Sequence, residues 1–369
     1  MRAGVFVGAV LVVAFGAEPP APGQPPPKQP GAPALVEPAE LRPGDVPVAK
    51  TLPLAGLERL TGFSASPDGK VIGVSAGEVG RSQNDWSAFY IDTTTGKRLG
   101  FPAMMTGPGI LTTGGTKVVE KDVQFGRDTN LMFRDVATGK QSIVASVKDG
   151  HVPVALTSDG KLLILTHPMG IEFLQVAKRF VAFPGSRLAA PVAGLSEPFL
   201  GDTRIAGLHP DGVVRVWDLT TGKETAQIDP KAGKTGWNEL RVAGDGRAMT
   251  VANTNTGDRL VWDLKAGAEA AWAKGKLKSG SPMYRPMAGG RLYSVDRDYN
   301  AKLKGGGTGK LEFIALTDLG TGQVTGRLLI PEDPGPFAEV RVSRDGRRVL
   351  MLNVEKARLY VWDLPAAKE

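Results

Sequence analysis

Three short stretches and three histidines of the 369-residue chain carry residue types that could do chemistry. Gly73-Val74-Ser75-Ala76-Gly77 matches G-x-S-x-G, the pattern that holds a serine at a sharp strand-to-helix turn for nucleophilic attack. Here the five residues end an apolar strand and enter a polar loop, the wrong setting for a nucleophile. Gly305 to Lys310 (GGGTGK) invites a phosphate-loop reading, but Lys304 stands where the first glycine is required and Leu311 where Ser/Thr is required. A flexible hairpin tip is expected instead. Asp296-Arg297-Asp298-Tyr299-Asn300 sets oxygens at alternate positions, as calcium loops do. Ala301 then replaces the sixth-position glycine and Gly307 the twelfth-position glutamate, so a solvated loop is expected and no metal site. His151, His167 and His209 lie in separate turns without an acidic partner at a recognisable spacing. His151 is expected to be a structural turn residue and the other two exposed.

Composition removes further chemistry. The absence of cysteine excludes disulfides, thiol nucleophiles, Cys-based metal sites and a lipidated cysteine at the N-terminus. With 45 Lys+Arg against 38 Asp+Glu, the formal +7 is too dilute for a surface that binds nucleic acid all over. The excess is local. Lys274, Lys276, Lys278, Arg285, Arg291, Arg297, Lys302, Lys304 and Lys310 are nine bases opposed in that window only by Asp296 and Asp298, which leaves +7 there, the charge of the whole chain. Arg297, Lys302, Lys304 and Lys310 are therefore candidate partner-binding residues for an anionic envelope component or an acidic protein. Trp86 is another, because it falls in an insertion where no core position needs it. No catalytic residue, cofactor, metal or specific nucleic acid is expected.

The elements that position these residues are short. Residues 1–17 join one positive charge to an uncharged apolar run (AGVFVGAVLVVAFGA) too short to span a bilayer core of about 30 Å, which predicts a signal peptide, with no membrane span left in the mature chain. Residues 18–47 (EPPAPGQPPPKQPGAP and its flanks) lack apolar residues to fold and predict an extended, disordered Pro-rich linker. From 48 to 369 no helical periodicity stands out. Short β-rich segments end in Asp, with Gly four positions later: Asp92/Gly96, Asp135/Gly139, Asp218/Gly222, Asp263/Gly267 and Asp318/Gly322, with a last Asp363. Aspartate accepts backbone N–H groups at the turn entry, and glycine takes the positive φ that closes a four-residue loop. A second turn (SPDG 66–69, SDG 158–160, GDG 244–246, RDG 344–346) precedes the next apolar strand of each unit. Counting a degenerate copy at Gln175, seven units of four strands recur about every 45 residues, one propeller blade each.

Trp217-Asp218, Trp262-Asp263 and Trp362-Asp363, with Gly150-His151, make the unit similar to the WD40 repeat. The resemblance implies an all-β, seven-bladed β-propeller of four-stranded antiparallel blades, with the three tryptophans at blade-packing positions. No unit carries both Gly-His and Trp-Asp, so the His–Ser–Trp–Asp network of that family is expected to be missing. The last unit lacks a fourth strand after Asp363, and the unassigned segment Val48 to Gly56 (VAKTLPLAG) is expected to supply it and close the ring. Insertions after the second strand, at Gly77 to Asp85 in blade 1 and Asp296 to Lys310 in blade 6, are expected on the docking face. The function that follows is a monomeric, non-enzymatic interaction scaffold, exported to the periplasm, cell surface or extracellular space. The alternative is a propeller enzyme of the lactone or glycan hydrolase type. Its channel-entry loops, however, offer few acids, among them Asp149, Glu332 and Asp333.

Overall fold

The Asp-to-Gly spacing is realised as a repeated tight loop in a computed structural model of the chain. In the first copy the Asp92 carboxylate accepts the N–H groups of Thr94 and Thr95 at 2.7 and 2.8 Å, and the Gly96 N–H closes onto the Asp92 carbonyl at 2.8 Å. Asp135, Asp218, Asp263 and Asp318 repeat the loop, with Gly139, Gly222, Gly267 and Gly322 all at φ between +66° and +72°. A side chain there would strain the backbone, which is why glycine recurs.

These loops, alternating with the Ser66–Gly69 type of turn, fold each unit into an antiparallel four-stranded blade. The structure describes residues 44–79, 86–104, 109–122, 129–147, 151–167, 170–176, 181–188, 194–230, 236–274, 277, 281–304, 307–332 and 339–366. The expected signal peptide 1–17 and almost all of the expected linker 18–47 lie outside them. Blade 1 runs Leu57–Ala65, Val71–Glu78, Ser87–Asp92 and Arg98–Met104 from the axis outward, and blades 2 to 5 follow the same order. Blade 7 has Glu339–Val342, Arg348–Asn353 and Arg358–Asp363, and its fourth strand is Lys50–Pro53 from the start of the folded region. Lys50 pairs with Val361 and Pro53 with Arg358, antiparallel, so the expected closure is present.

Blade 6 carries an extra, fifth strand. Asp45–Val46 lies parallel to Val324–Ile330, earlier in the chain than the expected start of folding at 48. Two residues have no readable period, and what seats them is a fork. The Arg327 guanidinium donates from Nε and Nη2 to the two Asp45 oxygens, each at 2.7 Å, and stacks over Phe313 at 5.1 Å.

Each sheet is pressed between two neighbours, so strands such as Val71–Glu78 are buried on both faces and read as apolar runs instead of alternating. Leu350, Leu352, Leu359 and Val361 of blade 7 pack with Leu60, Phe63, Val74 and Ile91 of blade 1, which makes the closing seam hydrophobic. Trp217 and Trp362 are buried in such seams, and Trp262 is half-buried. Among the described residues no helix is long and apolar enough to cross a membrane.

Candidate functional site

The expected solvated loop at 296–300 is instead part of the rising strand of a β-hairpin. The two middle strands of blade 6, Arg291–Lys302 and Thr308–Asp318, are 12 and 11 residues long, against 5 each in blade 5. At about 3.4 Å per residue the extra length projects roughly 20 Å. Pairing continues through Arg297↔Glu312 and Asp298↔Leu311, slips at a bulge, and resumes at Ala301↔Gly309 and Lys302↔Thr308. Composition alone suggested a polar loop, but buried Ala301, Leu311 and Phe313 give the extension a small core of its own. Asp296 and Asp298 each accept a nearby backbone N–H, from Arg297 at 2.8 Å and Asn300 at 3.0 Å, and the stretch is strand.

The four basic candidates divide into two pairs. Arg297 Nε and Lys310 Nζ meet the same Glu312 carboxylate oxygen at 2.6 and 2.7 Å, and the Glu312 side chain is only 3% exposed. A hydrogen bond with Tyr299 and the Glu312 charge hold the Arg297 guanidinium above its ordinary value. Lys302 and Lys304 are exposed near the tip, with Tyr299 64% and Val295 47% exposed on the same hairpin. Glu312 escaped a charge count along the chain because it lies just beyond Lys310; only strand pairing brings it under Arg297. The rest of the basic window is likewise dispersed. Arg285 lines the central channel, Arg291 donates to the Gly346 carbonyl at 2.9 Å on another face, and Lys276 and Lys278 lie outside the described residues.

Trp86 is half-buried, with the Arg59 guanidinium 5.3 Å above its ring, so this aromatic has a partner within blade 1. Residues 80–85 of the same insertion are outside the described set. Ser75 lies mid-strand, buried between Gly62 and Ala88, with no turn after it.

Two expectations about histidine change. His151, expected to be a structural turn residue without an acidic partner, is buried and has one, Glu172 on the same blade, at 3.1 Å. Cross-strand pairing of distant residues supplies it, which sequence spacing does not show. His209 is buried and not exposed, 5.7 Å from the Trp217 ring, and its Nε2 has no partner among the described residues. Burial, then the Arg215 charge, pushes its pKa below the ordinary value. The side chain of His167 is outside the described residues, among which no cluster of three or more His, Asp or Glu could hold a metal.

The innermost strands of all seven blades surround a channel of about 510 Å³. On the side of the Ser66–Gly69 type turns it narrows onto Arg344, which pairs with Asp202 across the ring, while Asp202 also takes the Ser158 N–H at 2.8 Å. The Arg344 N–H reaches the Pro67 carbonyl at 2.7 Å, and a Cβ on Gly244 would lie 2.3 Å from the Arg344 carbonyl. Residues of five blades thus meet at this floor. Of the entrance acids, Glu332 is buried between Arg358 at 2.9 Å, Asn353 at 3.3 Å and the Tyr360 hydroxyl. Asp149 and Asp333 lie outside the described residues.

No protein-family model matches the chain, and no curated protein is significantly similar to it.

Proposed function

We propose that the protein is a non-enzymatic interaction module of the cell envelope, a propeller of the WD40 type whose blade 6 hairpin docks an anionic partner. The observation that carries this reading is the hairpin itself. A propeller is rigid and function sits on what projects from it. Here the projection has its own packed base, exposes Tyr299 and Val295, and places Lys302 and Lys304 near the tip. An exposed aromatic beside exposed cations suits an acidic glycan, an anionic lipid surface or an acidic protein face. The Trp-Asp dipeptides support the family, and the apolar run of residues 3–17 supports export.

The test is a Lys302→Ser/Lys304→Ser double variant, which leaves Arg297, Lys310 and Glu312 in place so that the hairpin stays folded. Each lysine near an anionic surface contributes about 1 kcal/mol, so the pair is expected to weaken binding to heparin and to envelope fractions roughly 30-fold at low salt. The difference is expected to shrink as salt screens the charges. Co-elution of parent and variant across the salt gradient would refute the docking role.

A further inference from the structure

Blades 5, 6 and 7 place three arginines at one level of the channel wall. On the innermost strands, Arg241 pairs across to Thr250, Arg285 to Tyr293 and Arg341 to Leu350. Each partner lies three residues beyond Arg247, Gly290 or Arg347, whose carbonyls take the N–H groups of Leu264, Leu319 and Leu364 in the same order. The three positions are therefore structurally equivalent, and all three arginines line the same channel.

What differs is the residue two positions earlier in the chain, which in blade 6 falls just before the strand Arg285–Met287. Blades 5 and 7 have Glu239 and Glu339, which pair with Arg241 at 2.6 Å and Arg341 at 3.2 Å. Blade 6 has Met283 there, whose Sδ lies 3.9 Å from Arg285 Nη2, a contact that neutralises nothing. Arg341 is engaged further, donating to the Phe63 carbonyl at 3.1 Å. Arg285 has no acidic partner among the described residues, whereas the arginine on either side of it is paired to a glutamate. An E-x-R strand is evidently compatible with this wall, since it is built twice. Blade 6 leaves the carboxylate out.

We propose that the channel binds a small oxyanion, a carboxylate or phosphate, whose charge fills the place at Arg285 that Glu239 and Glu339 fill for Arg241 and Arg341. A guanidinium presents a planar fork of donors that matches both groups. The cavity volume lies within the range of about 300–1,000 Å³ usual for small-molecule sites. This site is separate from the blade 6 hairpin and does not depend on its role.

The experiment is calorimetric titration of the full chain with citrate and with pyrophosphate, beside three variants whose melting temperatures are checked first. Arg285→Gln removes the fork. Met283→Glu keeps it but installs the carboxylate of the neighbouring blades. The parent is expected to bind at least one probe, and each of these two variants about tenfold or more weakly, the usual consequence of losing a charge-assisted hydrogen-bond pair. Lys302→Ser/Lys304→Ser is expected to bind like the parent. The proposal is overturned if neither probe binds the parent, if Arg285→Gln or Met283→Glu retains parental affinity, or if the hairpin variant loses it equally.

Discussion

At the scale of single residues, the groups that matter most are those buried with few or competing partners. His209 is a neutral imidazole held against Trp217 and near Arg215, and both burial and that charge disfavour its protonation. Its folded pKa is below the unfolded value of about 6.5, so the unfolded chain takes up a proton that the fold refuses. Stability should therefore be full above that pH and decline as pH falls through about 6.5 and below. Thermal melts at about pH 7.5 and 5 should show this decline in the parent and a smaller one in His209→Gln, which cannot titrate. Equal declines would mean that another group is responsible. The buried carboxylates follow a different rule: Glu120 with Tyr90 and Arg134, and Glu332 with Tyr360 and Arg358, are enclosed by donors and so belong to blade packing. Burial, then the neighbouring glutamate, raises the pKa of both phenols, which keeps them donors at any ordinary pH.

At the scale of elements, the strand Lys50–Pro53 and the two-residue strand before it do different work. The first completes blade 7 and covers the apolar seam with blade 1, where Leu52 and Leu54 are buried. The second seats Asp45, whose side chain is fully buried, against Arg327. Removing one partner of such a pair leaves a buried charge alone at a cost of about 3–5 kcal/mol. Truncations should separate the two. Loss of residues 1–43 should leave the melting temperature unchanged. Loss of 1–47 should lower it by an amount that Asp45→Asn approaches, and loss of 1–56 should lower it sharply and broaden the transition as blade 7 is left with an open edge. Identical melting temperatures for the last two truncations would show that the closing strand does not hold the ring.

At the scale of the whole molecule, repetition turns a small local effect into a large one. Hydrogen bonds from the N–H and hydroxyl groups of Thr138, Thr221 and Thr321 hold the Asp135, Asp218 and Asp318 carboxyls below the usual carboxylate range. The stability they add is present above the unfolded pKa of about 3.9 and is lost as pH falls through the lower folded values. Acid unfolding should thus steepen below about pH 4, and Asp218→Asn should be less stable at neutral pH yet show a shallower loss between about pH 4.5 and 3. An unchanged slope would exclude the turn carboxylates as its cause. The same loops explain how much of the ring was legible from residue order. Asp and Gly four apart encode a turn through contacts within five residues, and five such units, with the degenerate copy at Gln175, the last Asp363 and an unpaired strand at one end, specify the blade count and the closure. Nothing comparable was available for the surfaces. The projecting hairpin, Glu312 beneath Arg297, the Asp45–Arg327 fork and the His151–Glu172 pair depend on strand register, which sets residues 15 to 282 positions apart side by side. The channel level of Arg241, Arg285 and Arg341, and the Arg344–Asp202 floor, depend on how blades close around an axis, so they exist only once the ring is complete.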